Sequence, residues 1–340
     1  MTRRPSNRLL LAGAALAGSA GATFVRSRRI EAESASRSAQ VRGEARSIIS
    51  SDGTRLQAWI HGPEDAPTIV FPHCWTGTHE LWHKQVEALS GEYRLVVYDQ
   101  RGHGASDETG PLGYTLEALT ADLDAVLDAT TEAGEPVMLA GHSMGAMTIF
   151  SWAGRHRGEV GSRVRAAVLC SSGVNDLTAH SAVIGQWPAA FSTIQGRITD
   201  GILGAPLTVR TMPIPLARAA VHYMALGPDA AEEDVELTLR MLYDCRPRAR
   251  AGFGNAMSHM DLADAVDALD VPVSMIAGGK DLMTPTVQAE RIVDSLEDAE
   301  LRVDPSAGHM TTFESSELVN GALRELAERT LTPSTETTAA

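Results

Sequence analysis

The stretch Pro136-Val-Met-Leu-Ala-Gly-His-Ser-Met-Gly-Ala-Met-Thr-Ile-Phe150 joins two patterns at a serine. Val137 to Ala140 is an apolar run of the length expected for a fully buried strand. From Ala146 onward the residues are helix formers with apolar side chains at helical spacing. Between them, Gly141-His142-Ser143-Met144-Gly145 fits the G-x-S-x-G pattern in the strand–turn–helix setting that the pattern requires. A serine on so sharp a turn is expected in a strained backbone conformation with its hydroxyl exposed. A side chain at Gly141 or Gly145 would collide with the neighbouring strand or helix. The N–H of Met144, at the helix start, would then face a developing oxyanion.

On either side of this element the chain alternates. Arg46 to Ser50 and Thr54 to Ile60, joined by Ser-Asp-Gly, read as a hairpin. Thr68 to Phe71 is a short buried strand followed by Pro72-His73-Cys74-Trp75-Thr76-Gly77, and His79 to Leu89 reads as a helix. The strand Arg94 to Tyr98 runs into Asp99-Gln-Arg-Gly-His-Gly-Ala-Ser106, and Leu116 to Ala129 is an amphipathic helix. Arg165 to Cys170 and Val271 to Ala277 are further buried strands, Thr286 to Leu296 a helix, Leu301 to Val303 the centre of the last strand, and a closing helix starts near Glu314. Strands alternating with helices predict an α/β fold, a mostly parallel sheet of the eight-stranded type with helices on both faces. The alternation stops between Val174 and His259, which is helical in composition and rich in Gly, Pro and flexible apolar side chains. The segment reads as an inserted helical lid, with Trp187, Met212 and Met224 as candidates for lining an apolar pocket. Phe191, Ile194, Met241 and Phe253 belong to the same set, and most of these side chains are expected to build a small core of the lid's own.

The predicted organisation is therefore a signal peptide or membrane anchor over 1–30, a linker over 31–43, a core over 44–173 and 260–330, a lid over 174–259 and a disordered tail over 331–340. Residues 1–30 hold six arginines and no acid, flanking the uncharged stretch Leu9 to Val25. That stretch predicts export or membrane association, with a cytoplasmic protein as the alternative. The chain's net charge is −14, so the rest of the molecule is strongly acidic and carries no basic run interleaved with aromatics. A nucleic-acid surface is excluded on that ground. Cys74, Cys170 and Cys245 are too few and too scattered for a disulfide framework.

A serine hydroxyl needs a base, and the base an orienting acid. Asp281 follows an apolar strand, with Gly278 and Gly279 beside it, and His309 follows the last strand after Gly308. Ligand sites in open parallel sheets gather at the carboxyl ends of strands, so Ser143, Asp281 and His309 fall on one edge.

Gly141-His-Ser-Met-Gly145, Tyr98-Asp-Gln-Arg-Gly-His-Gly-Ala-Ser106, Gly278-Gly-Lys-Asp281 and Gly308-His309 together make residues 44 to 328 similar to the α/β-hydrolase superfamily, in particular to lidded serine esterases and monoacylglycerol-lipase-like enzymes. The resemblance implies Ser143 as nucleophile, His309 as base and Asp281 as its orienting acid, with Asp176 in reserve for the last role. It also implies a second oxyanion donor in the loop after the Thr68–Phe71 strand, where the backbone N–H of Trp75 fits. His73 and Cys74 are pocket candidates in that loop. Cys74 stands where the family carries glycine, which restricts the backbone at a tight turn.

Two other motifs compete. His79-Glu-Leu-Trp-His83 matches H-E-x-x-H, a zinc signature when both histidines share a helical face. It lacks the further ligands of either common type, and Trp82 reads as the residue packing this helix on the sheet. Gly102-His103-Gly104 lacks the third glycine of a dinucleotide loop and reads as a turn. His142, His156 and His222 are read as structural. No metal and no organic cofactor is implied. The expected activity is hydrolysis of a small, apolar carboxylic ester through an acyl-enzyme on Ser143. Cofactor-free perhydrolase, thioesterase, amidase and C–C hydrolase chemistry on the same triad remain open, as does a ligand-binding receptor of the same fold.

Overall fold

The computed structural model describes residues 43–175 and 212–331. The predicted hairpin is present as β1 (Glu44–Ile49) and β2 (Arg55–His61), antiparallel and joined through Gly53 at positive φ. There follow β3 (Thr68–Phe71), a 3₁₀ turn (His79–Trp82), α1 (His83–Leu89), β4 (Arg94–Asp99), α2 (Leu116–Thr130), β5 (Val137–His142), α3 (Met144–Arg155) and β6 (Val164–Cys170). Beyond residue 212 come α4 (Ile214–Ala225), α5 (Glu232–Asp244), α6 (Pro247–Ser258), α7 (Ala263–Val266), β7 (Val273–Gly278), α8 (Thr286–Asp294), β8 (Ala299–Asp304), α9 (Thr311–Glu314) and α10 (Ser316–Thr330). Among the described residues the strands form one sheet in the order β1-β2-β4-β3-β5-β6-β7-β8, antiparallel at β1/β2 and β2/β4 and parallel elsewhere.

Strand alternation divides the apolar side chains between two layers. Val70, Leu139, Leu169 and Met275 point to the face covered by α2, α3 and α8, whereas Phe71, Met138, Val168 and Ile276 point to the face covered by α1 and α10. Because β3, β5, β6 and β7 are buried on both faces almost throughout, their runs read as nearly continuously apolar, whereas the edge strand β8 is half-exposed and carries charge. Trp82 is fully buried against Phe71, with ring centroids 5.0 Å apart, and anchors the 3₁₀ turn on the sheet as expected.

The described part of the segment expected to form a lid, α4 to α6, is helical. It does not form a core of its own. Ala217, Val221, Val235 and Met241 join the layer under α1 and α10, and Phe253 joins the opposite layer. Met241 and Phe253 are thus main-core residues, against the expectation that they pack within the lid. Leu331, placed in the tail by the sequence, is also buried, because it continues the packing of α10. Trp187, Phe191, Ile194 and Asp176 lie outside the described residues, as do the proposed leader and anchor over 1–30, nearly all of the linker and the tail from 332. Among the described residues no helix is long and apolar enough to cross a membrane.

The loop after β4 owes its shape to buried charge. Arg101 is 1% exposed and forms a two-pronged ion pair with Asp122 of α2 through Nε and Nη2 at 2.7 and 2.6 Å, with Asp52 closing on Nη1 at 2.7 Å. Removing one partner leaves the other charge buried and uncompensated. Asp122→Ala is therefore expected to lower the unfolding free energy by about 3 kcal/mol in urea titrations. A change below about 0.5 kcal/mol, the range of ordinary surface substitutions, would contradict this account.

Candidate active site

Ser143 occupies the junction between β5 and α3 with φ 52° and ψ −114°. Three bonds hold that conformation. The serine N–H donates to the Cys170 carbonyl at 2.9 Å, and the serine carbonyl accepts from Met147 N–H at 3.1 Å and from Ser172 Oγ at 3.0 Å. The flanking glycines are required by contact. A β-carbon on Gly141 would overlap the Ala146 backbone, and one on Gly145 would overlap the Pro72 carbonyl. The second overlap explains why the loop after β3 reaches the serine: only a glycine lets the two backbones approach.

In that loop the tight-turn strain falls on Thr76, at φ 62°, while Cys74 keeps a negative φ. The substitution of cysteine for glycine at 74 is thus accommodated, because the left-handed residue is two positions later. Cys74 is buried, and burial pushes its thiol up to about 12, well away from a reactive thiolate. His73 is wholly buried and committed to backbone: Nδ1–H donates to the Cys74 carbonyl at 2.8 Å, and Nε2 accepts from Gln100 N–H at 2.9 Å. Gln100 returns a side-chain bond to the His73 carbonyl at 2.6 Å. Both pocket candidates in this loop therefore brace it. The Trp75 indole donates to the Arg250 carbonyl of α6 at 3.0 Å, tying the same loop to the lid helices.

Asp281 and His309 meet. His309 Nδ1 lies 2.8 Å from Asp281 Oδ2, and both side chains are buried. Asp281 Oδ1 accepts from the N–H groups of Met283 and Thr284 at 2.8 and 2.9 Å, and Oδ2 accepts from Thr284 Oγ1 at 2.8 Å. Burial alone would raise the Asp281 carboxyl; the His309 imidazole and the Thr284 donors outweigh it and hold the carboxyl below its ordinary range. The residue before the serine completes the link, since His142 Nε2–H donates to the His309 carbonyl at 2.7 Å and the two rings lie 5.0 Å apart. Thr284 and Ser172 are supporting residues that the sequence reading does not name, whereas His142, read there as structural, ties to the His309 carbonyl. The spacing Asp281-x-x-Thr284 is a turn signature and the signal by which Thr284 was detectable.

Of the remaining pocket candidates, Met224 is half-buried in the last turn of α4, beside the residue whose carbonyl receives His309 N–H, and Met212 is exposed ahead of that helix. The zinc-like stretch is divided between a 3₁₀ turn and α1, so its two histidines do not share one regular helical face. His79 donates from Nδ1 to Asp99 at 2.9 Å and stacks on Trp59, His83 Nδ1 bonds the Glu80 carbonyl at 3.1 Å, and Glu80 pairs with Arg240 at 2.5 Å. Among the described residues, Asp124, His156 and Glu159 come together at the opposite end of α3 from Ser143, with Glu159 also paired to Arg163. His156 stacks on Trp152 and bonds its carbonyl, and His222 Nε2 bonds the Gly227 carbonyl. Gly102 and Gly104 take positive φ in the turn after β4.

Residues 67–205 match a family profile described as the alpha/beta hydrolase fold. Among curated proteins, a 3-oxoadipate enol-lactonase of Acinetobacter baylyi is 26% identical over 271 residues, which is 79% of this chain and 92% of that protein. Among solved structures, a thermophilic esterase from Thermogutta terrifontis matches with a TM-score of 0.67 at 23% identity, over 84% of this chain and 99% of the other. A bromoperoxidase from Bacillus anthracis matches with a TM-score of 0.67 at 17% identity, over 84% of this chain and 100% of the other. The chain has the α/β-hydrolase fold, and residues 67–205 resemble the family that carries its name. The likeness to those two structures, both below 25% identity, defines its fold, and any choice of reaction within that fold rests on the site.

Three wholly buried histidines stand around this centre, and burial is the first cause that depresses each: His73 to about 4, His103 and His142 to about 3. In the unfolded chain these imidazoles take up protons below about pH 6.5, whereas in the folded protein they stay neutral to much lower pH. The unfolded state then binds more protons, so stability falls as pH drops through that window. The unfolding free energy should decline between pH 6 and 4.5 by up to about 1.4 kcal/mol per pH unit for each histidine, and His103→Gln should remove one such share of the slope. A flat profile over this range would refute the assignment of three neutral buried imidazoles.

Proposed function

We propose that the protein is a serine hydrolase acting on a carboxylic ester. The observation that carries the reading is the strained Ser143 backbone joined, through the His142–His309 bond, to the Asp281–His309 pair. Ser143 Oγ attacks the ester carbonyl while His309 Nε2 takes its proton and later delivers it to the leaving alcohol. Asp281 keeps the proton of the neutral imidazole on Nδ1 and stabilises the imidazolium that forms. The N–H of Met144, first residue of α3, has no acceptor within its own helix and serves as one oxyanion donor; the N–H of Trp75 is the second. Water then repeats the sequence on the acyl-enzyme and releases the acid. The curated relative named as an enol-lactonase supports this choice of bond, since a lactone is an internal ester.

Ser143→Ala should lower kcat on p-nitrophenyl esters by about a million-fold, the scale for loss of a triad nucleophile. A fluorophosphonate probe should label the wild-type chain at Ser143 and leave the variant unlabelled. A variant that keeps a large share of wild-type turnover, or a wild type that resists the probe, would sink the reading and favour a binding module. The substrates proposed are uncharged esters of medium acyl length, supported by the half-buried Met224 beside the His309 loop. A ranked series of p-nitrophenyl esters should peak at intermediate chain length, and a preference confined to acetate would count against it.

A further inference from the structure

The loop that carries His309 is bonded to the root of the lid through one carboxylate. Glu314 ends the short helix α9, five residues after the histidine. Its Oε2 accepts from Gly227 N–H at 2.6 Å, in the segment directly after α4. Oε1 accepts from Met310 N–H at 3.0 Å and from Gly308 N–H at 3.1 Å, the residues on either side of His309. The same lid segment reaches the histidine directly, because the Ala225 carbonyl accepts from His309 N–H at 3.0 Å and from Met310 N–H at 3.2 Å. The backbones touch here. A β-carbon on Gly308 would overlap Leu226 and Gly227, and one on Gly227 would overlap the Ser306 carbonyl. Glu314 is itself held, since Lys84 Nζ donates to the carbonyl of the preceding Phe313 at 2.7 Å.

We infer that Glu314 is a positioning residue that couples the seating of the lid root to the orientation of the His309 imidazole, by gathering the N–H groups of Gly227, Gly308 and Met310 on one side chain. The inference rests on the reading of His309 as general base. Three backbone donors converge on two oxygens, so an acceptor-only, charged group suits the position and a neutral amide does not. In Glu314→Gln the amide must turn an –NH₂ toward one of those N–H groups, which frees either Gly227 or Met310, since Gly308 N–H lies within reach of both oxygens. In both cases the loop carrying His309 loses a fixed point. A displacement of about 1 Å at a catalytic group is enough to cost on the order of a hundredfold in rate.

The test compares wild type, Glu314→Gln and Glu314→Asp on p-nitrophenyl acetate and a longer ester, with active sites counted by fluorophosphonate labelling of Ser143. Glu314→Gln should lower kcat per labelled site by about 10- to 100-fold on both esters, with KM changed by less than about threefold. The low-field proton resonance of His309 Nδ1–H should broaden or shift in the same variant. Glu314→Asp keeps the charge on a shorter arm and should fall between the two. If the glutamine variant fails to fold, a lowered kcat per labelled site in the aspartate variant still supports the coupling, and a wild-type value overturns it. Unchanged kcat per site in a folded glutamine variant overturns it, and so does a rise in KM alone, which would mark a pocket effect. A wild type with neither label nor turnover overturns both this proposal and the hydrolase reading. Normal wild-type labelling with an unaffected glutamine variant removes only the role of Glu314.

Discussion

A non-glycine residue at φ 52° and ψ −114° costs of order 1–3 kcal/mol and persists only where its surroundings over-determine it. The carboxyl edge of this sheet is built to do so. The Ser143 N–H and carbonyl are both taken by residues at or just beyond the end of β6, Cys170 and Ser172, so the turn is fixed from the neighbouring strand as well as from its own helix. The glycines beside it transmit the constraint. Gly145 must accept the Pro72 carbonyl at contact, which sets the loop after β3 against the start of α3. That loop is in turn fastened by His73 to Gln100 after β4. One strained residue thus fixes the relative positions of three loops.

The connecting groups are chosen for neutrality. His73, His103 and His142 are buried imidazoles that stay uncharged at ordinary pH, and His73 uses one ring nitrogen as donor and the other as acceptor. A buried imidazole of this kind bridges two backbones without the desolvation cost of an ion. Buried charge stands elsewhere, as at Arg101 with Asp122 beneath the loop after β4, and at Asp281 beside His309. At the second, the His309 imidazole and the Thr284 donors together outweigh burial and hold the Asp281 carboxyl below its ordinary range.

The sheet was legible in the chain because parallel strands buried on both faces leave uninterrupted apolar runs, as at Val137–Ala140 and Ala166–Cys170. The hairpin was legible from Ser51-Asp-Gly53, and Ser143, Asp281 and His309 from their places after strands. What stayed hidden were partners set by three-dimensional approach. His142 looks like any residue between two motif positions until the His309 carbonyl is seen 2.7 Å from it. The displaced strain at Thr76 was hidden for the same reason, since Cys74 reads as the exception when the loop is aligned by its motif alone. Met241 and Phe253 were misplaced because apolar side chains at helical spacing report that a face is buried and not which layer covers it.

The placement of Met241 and Phe253 bears on how the inserted helices can move. A lid with a core of its own would move as a unit over the sheet. Here α4 and α5 contribute to one apolar layer and α6 to the other, so the described part of the insertion shares both cores with the strands. Polar ties run in the same direction: Arg246 donates to the carbonyls of Ser106 and Gly104, Trp75 to that of Arg250, and Arg240 pairs with Glu80. These reach the loop after β3, the turn after β4 and the 3₁₀ turn. Moving α4 to α6 as a flap would have to expose apolar surface in two layers and break charged bonds at once. These three helices are a frame registered to the turn that carries Ser143, and a side chain presented from them is held in that register.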